Sequence, residues 1–254
     1  MKELAFNIKK RMSKGFGRFS RQLKRFLHPR PLTVESAKGI PIIINNRNRL
    51  TFLKMQIDWF KQNGYTNIYV LDNLSDYPPL LEYYKTCDAK VIRLKKNFGY
   101  KALWLSGEFE QFKDNYYVYT DPDVLPNKNC PSGLVFELYK VLQRYSQFEK
   151  AGVALRIDDL PEHYSAKAEV LRIEKKWWTK ELEKNIYDAP VDTTFALYRP
   201  FAWGDAEDCK ACRVGGDLIF SHMPWYENSA SPTEEDRYYK AAAQGQSSYW
   251  MNFK

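Results

Sequence analysis

The chain contains no apolar run approaching the roughly 18 residues needed to span a bilayer, which excludes a membrane-spanning helix of the usual kind. Its four cysteines, Cys87, Cys130, Cys209 and Cys212, are sparse for 254 residues. That excludes a disulfide framework and points to a reducing compartment. Cys209-x-x-Cys212 stands without a second pair or a nearby histidine, and two ligands do not close a tetrahedral zinc site. Glycine is thin, at 12 residues. No Gly-x-Gly-x-x-Gly follows the first strand and no Gly-x-x-x-x-Gly-Lys-Ser/Thr occurs, so a dinucleotide-binding fold and a P-loop are disfavoured. Without a glycine-rich cradle, a diphosphate bound to this chain needs a metal to neutralise it.

Acid is missing from one place above all. Residues 1–27 hold nine Lys or Arg and a single acid, Glu3, so this segment accounts for the whole net charge of +8. The rest of the chain is neutral overall, which argues against a nucleic-acid partner for the globular part. Apolar residues in the segment (Leu4, Ile8, Met12, Phe16, Phe19, Leu23 and Phe26) recur at steps of three or four, a helical stripe. Gly15 and Gly17 weaken its middle. A basic amphipathic helix bearing aromatics suits an anionic membrane surface. The alternatives are a helix packed on the protein's own body, an organelle transit peptide, and a nucleic-acid-binding segment. Pro29-Arg-Pro31 ends the segment, so residues 1–30 are expected to be a membrane-associating helix and residues 31–254 the globular domain.

Beyond the linker, strand and helix patterns alternate. Residues 41–45 (Pro-Ile-Ile-Ile-Asn), 68–71, 91–94 and 116–120 read as short apolar strands of the kind buried in a parallel sheet. Helical patterns occupy 50–63, 80–86 and 101–112. This predicts an α/β domain with a mostly parallel central sheet flanked by helices. Ligands bind such sheets beyond the carboxyl ends of the strands. Polar clusters stand at all four of those ends: Asn45 to Arg49, Asp72-Asn73, Asn97 to Lys101, and Asp121-Pro122-Asp123. Two carboxylates spaced i and i+2 at a strand end suit one hard cation and its bound phosphates. The alternative is a turn, because Asp and Pro are common turn residues. The second half is less regular, with a helix over 133–145, a strand over 152–157 running into Asp158-Asp159, and a charged helix over 169–183. A strand over 191–198 with Asp192 near its start, a strand at 218–220 before His222-Met-Pro-Trp225-Tyr226, and a helix over 234–243 complete it.

With those residues in place the chain resembles the GT-A nucleotide-sugar glycosyltransferases, and among them bacterial family-two-like members. The resemblance covers roughly residues 39–226. It rests on Pro41-Ile-Ile-Ile-Asn-Asn-Arg-Asn48, Val70-Leu-Asp72-Asn73, Asn97-x-Gly99, Thr120-Asp-Pro-Asp123 and His222-Met-Pro-Trp-Tyr226. It implies a GT-A fold and transfer of a hexosyl-type group from a UDP- or GDP-linked sugar to a glycan or lipid-linked acceptor. Asn46, Arg47, Asp72, Asn73, Asn97, Lys101 and Asp121 would then line the donor site. Asp121, Asp123 and His222 would hold Mn²⁺ or Mg²⁺, and imidazole beside carboxylates tilts the choice to Mn²⁺. Trp225 and Tyr226 would offer an acceptor platform.

Each role has a plainer alternative. Asp72 can cap the next turn, Asn97-x-Gly99 can be a strand-to-helix turn, His222 can be structural, and Trp225-Tyr226 can be core. If the reaction inverts the anomeric centre, a carboxylate must deprotonate the acceptor hydroxyl, and for that base Asp192 leads, followed by Asp158 and Asp159; a retaining reaction would not need it. Glu207-Asp208, the pair that matches the family's Glu-Asp most directly, lies in a polar stretch that reads as a surface loop.

The resulting expectation is a cytoplasmic enzyme, peripheral on the inner face of the cytoplasmic membrane. The alternatives are a nucleotidyltransferase of similar fold and a non-catalytic membrane- or carbohydrate-binding module. Deleting residues 1–27 is expected to release the protein from anionic vesicles in a flotation assay and to leave sugar-nucleotide hydrolysis intact. Vesicle binding that survives the deletion would rule out the anchor.

Overall fold

The computed structural model describes residues 31–204, 209–228 and 230–242; the N-terminal basic segment and Glu207-Asp208 lie outside them. After a short helix α1 (Val34–Ala37), capped by Thr33, the chain enters β1 (Ile42–Asn46), α2 (Thr51–Gln62), β2 (Ile68–Asp72) and α3 (Pro78–Tyr83). Then come β3 (Lys90–Arg93), α4 (Ala102–Leu105), β4 (Tyr117–Thr120), β5 (Val124–Pro126) and α5 (Leu134–Arg144). The second half contributes β6 (Lys150–Val153), α6 (Lys167–Glu174), β7 (Glu181–Glu183), β8 (Ile186–Tyr187) and β9 (Ala196–Tyr198). It ends with β10 (Ala211–Val214), β11 (Phe220–His222) and α7 (Glu234–Ala242). Among the described residues no helix is long and apolar enough to cross a membrane.

Nine strands form one sheet in the order β3-β2-β1-β4-β9-β6-β10-β8-β7. The run β3-β2-β1-β4 is parallel, as the alternating strand and helix patterns predict, and β6-β10 is parallel again. β9 enters antiparallel between β4 and β6. β5 and β11 form a separate antiparallel pair. Strand periodicity divides the core in two. Ile42 and Ile44 face Leu53, Ile57 and Phe60 of α2 and Leu134 and Leu138 of α5, all buried. Ile43, between them, faces the opposite layer with Trp104, Phe109, Tyr117 and Tyr119. Tyr117 and Tyr198 stack at 4.9 Å across the β4–β9 pair, and the Tyr117 hydroxyl donates to the Ala202 carbonyl at 2.6 Å. The Tyr119 hydroxyl donates to the Tyr100 carbonyl at 2.9 Å, which ties the loop after β3 to the central sheet.

Three departures from the periodicity have local causes. The helix expected over 101–112 is interrupted at Gly107, whose φ of 90° is left-handed and ends α4. The charged helix expected over 169–183 stops at Glu174, passes through a 3-10 turn and gives way to the β7–β8 hairpin. The strand expected over 191–198 begins only at Ala196, so Asp192, Thr193 and Thr194 are loop residues.

Gly152 on β6 sets how closely that loop approaches the sheet. A Cβ there would meet Val191 Cγ1 at 2.5 Å and Ala196 Cβ at 3.1 Å. Gly152→Ala is therefore expected to destabilise the fold by about 1–3 kcal/mol, read as a lowered urea midpoint at unchanged slope. An unchanged midpoint would mean that the 191–196 loop is not packed in this way.

Candidate active site

Asp121 and Asp123 sit in the turn between β4 and β5, at the carboxyl edge of the parallel strands. Their backbone is held from two sides. Gln56, fully buried on α2, donates from Nε2 to the carbonyls of Asp121 at 3.0 Å and Val124 at 2.7 Å. The Asp121 amide donates to the Thr193 carbonyl at 2.9 Å, and the Thr193 hydroxyl donates to Asp121 Oδ2 at 2.6 Å. His222 arrives from nearly a hundred residues downstream because β11 pairs with β5, putting His222 opposite Val124. The Met223 amide donates to the Asp123 carbonyl at 2.8 Å, and His222 Nε2 comes to 3.9 Å from Asp123 Oδ1.

The electrostatics are those of confined negative charge. Burial pushes the Asp121 carboxyl well above the usual carboxylate range; Asp123 and Asp192 add to this and the Thr193 hydroxyl opposes it. Burial holds the His222 imidazole below its ordinary value, with Asp123 pulling the other way. Glu227 is pushed up to about 7, again chiefly by burial. A buried cation beside these acids is Arg49, 4% exposed. Its Nη1 donates to Asp236 at 2.6 Å and lies 3.9 Å from Glu227, and its guanidinium lies 4.1 Å from the Tyr239 ring centre.

Asp121, Asp123, Asp192, Thr193, His222 and Arg49 line one cavity of about 740 Å³. Of the residues predicted from sequence, Arg47, Asn73, Asn97, Asp121, Asp123, Asp192, His222 and Trp225 line it. The others do not. Asp72 is fully buried in the wall, accepting from Arg93 Nε at 3.1 Å, the Tyr84 hydroxyl at 3.1 Å and the Ser75 amide at 3.3 Å. Both of its oxygens are engaged within the protein, which places it in a supporting role rather than against a nucleotide. Asn46 is also fully buried and donates to the Tyr84 hydroxyl at 2.8 Å. Lys101 lies over the Tyr100 ring, outside the cavity lining. Asp158 and Asp159 are exposed and pair with Arg156 at 3.3 Å, and Tyr226 donates to Asp159 at 2.6 Å. That cluster is a surface network outside the cavity lining. Of the three proposed bases only Asp192 opens into the cavity.

The cavity also collects residues to which the sequence reading gave no individual role: Asn45, Asn48, Arg49, Thr193, Arg213 and Tyr239. Asn45 and Arg49 belong to the polar run after β1 and were within reach of the sequence reading. Arg213 and Tyr239 were not, since neither stands in a motif. Arg213 is buried and paired with Glu174 at 2.6 Å, and both line the cavity beside Asp192.

A divalent cation would find Asp123 and His222 facing one another, 3.9 Å apart, with Asp121 two residues away in the same turn. His222 Nδ1 and the Nε atoms of Arg47 and Arg49 are buried without a hydrogen-bond partner. Among the described residues, no three His, Cys, Asp or Glu side chains converge into a ligand cage, so the three-ligand set expected from sequence is not pre-assembled. Two protein ligands completed by phosphate oxygens and water is the manner in which Mg²⁺ is commonly held. On that measure the donor set fits the cation.

Helix α7 forms the outer wall. α2 has Leu50 at its N-cap and no local side-chain cap. Glu235 supplies one from the far end of the chain: it accepts from the Leu50 amide at 2.9 Å, the Thr51 amide at 3.0 Å and the Thr51 hydroxyl at 2.7 Å. Arg47 Nη2 donates to the Ala242 carbonyl at 3.2 Å, at the last turn of α7.

No protein-family model and no curated protein sequence matches the chain. Among solved structures it is similar to glucosyl-3-phosphoglycerate synthase from Mycobacterium tuberculosis in complex with Mn²⁺, UDP and glucosyl-3-phosphoglycerate. The two are 15% identical, with a TM-score of 0.46 over 77% of each chain. The same synthase with Mg²⁺ and UDP gives a TM-score of 0.47 at 15% identity over 77% of each chain. S. aureus TarS 1-349 is 11% identical, with a TM-score of 0.42 over 73% of this chain and 60% of that one.

Glu235→Ala is expected to cost about 1–2 kcal/mol of stability, the range for a lost helix cap, measured by urea unfolding. Glu235→Gln, which keeps an acceptor oxygen, is expected to recover part of it. Equal losses in the two variants would show that the cap does not depend on the acceptor.

Proposed function

We propose that the chain is a metal-dependent glycosyltransferase of the GT-A type, moving a sugar from a nucleoside-diphosphate sugar to a hydroxyl acceptor. The observation that carries this reading is the pairing of opposite needs in one cavity. Asp121, Asp123 and His222 form an acidic corner that wants a cation, and Arg47 and Arg49 have buried guanidinium donors that want anionic oxygens. A diphosphate with its divalent cation satisfies both.

In this reading Asp123 and His222 hold the cation, and Asp121 adds charge beside it. When bound, Mn²⁺ or Mg²⁺ supplies electrostatic stabilisation of the departing nucleoside diphosphate. Arg47 and Arg49 bind phosphate oxygens through the donors now unpaired. Asn45, Asn73 and Asn97 take the nucleoside end of the cavity, at the carboxyl edges of β1 to β3. Asp192, Arg213 and Glu174 line the same cavity, and in this reading the acceptor hydroxyl is presented to Asp192. The acceptor oxygen bonds to the anomeric carbon as the bond from that carbon to the diphosphate breaks, and the hydroxyl proton passes to Asp192. Thr193 ties Asp192 to Asp121 through one residue of backbone, which keeps base and cation site in fixed relation.

The finer parts of the reading concern place and acceptor. The donor is UDP- or GDP-linked, and the acceptor is a glycan or a lipid-linked saccharide presented at the cytoplasmic face of a membrane. The basic stripe of residues 1–27 supports that placement.

The test is a panel of UDP- and GDP-sugars with Mn²⁺, following nucleoside diphosphate release. Release from at least one donor is expected, with Asp121→Asn plus Asp123→Asn lowering it at least about a hundredfold at unchanged thermal stability. Full turnover in that double variant would overturn the metal assignment. No release and no Mn²⁺-dependent nucleotide binding would favour a non-catalytic module.

A further inference from the structure

From Ala89 to Gly107 the sequence contains no Asp or Glu, while Lys90, Arg93, Lys95, Lys96 and Lys101 fall within it. In a body whose charges sum to zero, this is a local concentration of positive charge. Two of these cations have internal tasks. Lys90 donates to Asn67 and to the Tyr69 hydroxyl, and Arg93 pairs with the buried Asp72. Lys95 and Lys96 are exposed and have no acidic partner among the described residues, and Lys96 Nζ stands 4.6 Å from the Phe98 ring centre. The same edge holds three of the seven large apolar side chains exposed among the described residues: Leu74 at 44%, Tyr100 at 58% and Leu105 at 50%.

These groups share one rim. Asn73 donates from Nδ2 to the Gly99 carbonyl at 2.9 Å and accepts from the Phe98 amide at 2.8 Å, lashing the loop after β2 to the loop after β3. Leu74 and Tyr100 each lie one residue from that junction. Leu105 stands one helical turn beyond Lys101. Leu74 has a φ of 65°, a left-handed backbone that a leucine rarely adopts, so the fold holds this side chain outward against a local preference. Asn97, Gly99 and Tyr100 belong both to this rim and to the cavity lining.

We propose that this rim, centred on Leu74, Lys95, Lys96, Tyr100 and Leu105, rests on an anionic lipid surface with the cavity mouth beside it. Spaced apolar tips among uncompensated lysines are the composition of an interfacial contact. The tips enter the headgroup boundary while the ammonium groups remain at the level of the lipid charges. The surface is separate from residues 1–27 and supplies what a terminal anchor lacks: it sets the orientation of the cavity. An acceptor held in the bilayer then reaches the site from the side on which the protein rests. The contact follows from the surface alone and does not depend on the glycosyltransferase reading.

The experiment is amide hydrogen exchange on the full chain, alone and with vesicles of phosphatidylcholine or of phosphatidylcholine mixed with phosphatidylserine. Slowed exchange across residues 95–106 is expected with the anionic vesicles and not with the neutral ones. Lys95→Gln with Lys96→Gln is expected to weaken vesicle binding about thirtyfold, the worth of two interfacial cations, and adding Leu105→Ser to weaken it further. Turnover of soluble sugar nucleotide without vesicles is expected to stay at the parent level in these variants. The vesicle result and the transferase result are therefore read separately. Protection confined to residues 1–30 would overturn the proposal. So would exchange that slows with protein concentration alone, which marks a second copy on the rim, or protection by RNA that anionic vesicles do not reproduce.

Discussion

Two carboxylates two residues apart, in a partly buried corner of the cavity, set the terms for everything around them. Asp121 and Asp123 repel one another, and burial removes the solvent that would relieve it. The surrounding groups answer that cost piece by piece. The Thr193 hydroxyl takes one carboxylate oxygen, Gln56 pins the backbone carbonyls, and Arg49 brings a buried positive charge within range of Asp123. What stays uncompensated is the space between Asp123 and His222. The fold concentrates negative charge there and leaves guanidinium donors unpaired along the same cavity, which is the pairing on which the proposed cation–diphosphate site rests.

The same corner explains why the chain's end is bound to its beginning. Arg49 would be a buried cation with too few partners if Asp236 did not reach it. α2 would start on a leucine with exposed amides if Glu235 did not cap it. Both carboxylates come from the first turn of α7, so a single docking event satisfies the arginine and the helix end together. The consequence for the site is a wall: Tyr239 is brought over Arg49, and Ala242 accepts from Arg47.

The strands and helices of the first half were legible because their signals are periodic and local. Ile42-Ile-Ile44 can only be a buried strand, and the polar residues after each strand mark the carboxyl edge. The Asp121-Pro-Asp123 turn, Asp192 as the residue before Thr193-Thr194, and His222 were likewise visible as residue types in sequence. β10 was not visible, because its short run carries Arg213, which enters the interior only by pairing with Glu174. Asp72 misled for the opposite reason. A carboxylate at a strand end looks available to a ligand, yet Arg93, Tyr84 and Ser75, all within about two dozen positions, consume both oxygens. Asp158 and Asp159 stand at the end of an apolar run but outside the cavity lining, on the surface with Arg156.

Sequence by itself determined the class of fold, the edge of the sheet at which the cavity opens, and the acidic turn that lines it. These follow from side-chain period and from the residue types that end buried strands. Only the tertiary structure decided which acids face the cavity, how His222 reaches Asp123, and that Arg49 and Glu235 matter at all. Asp72 and Asp158 are taken up by partners within about two dozen positions, whereas His222, Arg49 and Glu235 depend on pairings about one hundred to nearly two hundred positions apart. The energy of a buried charge lies in its partner, and a partner that distant leaves no period or spacing in the chain to announce it.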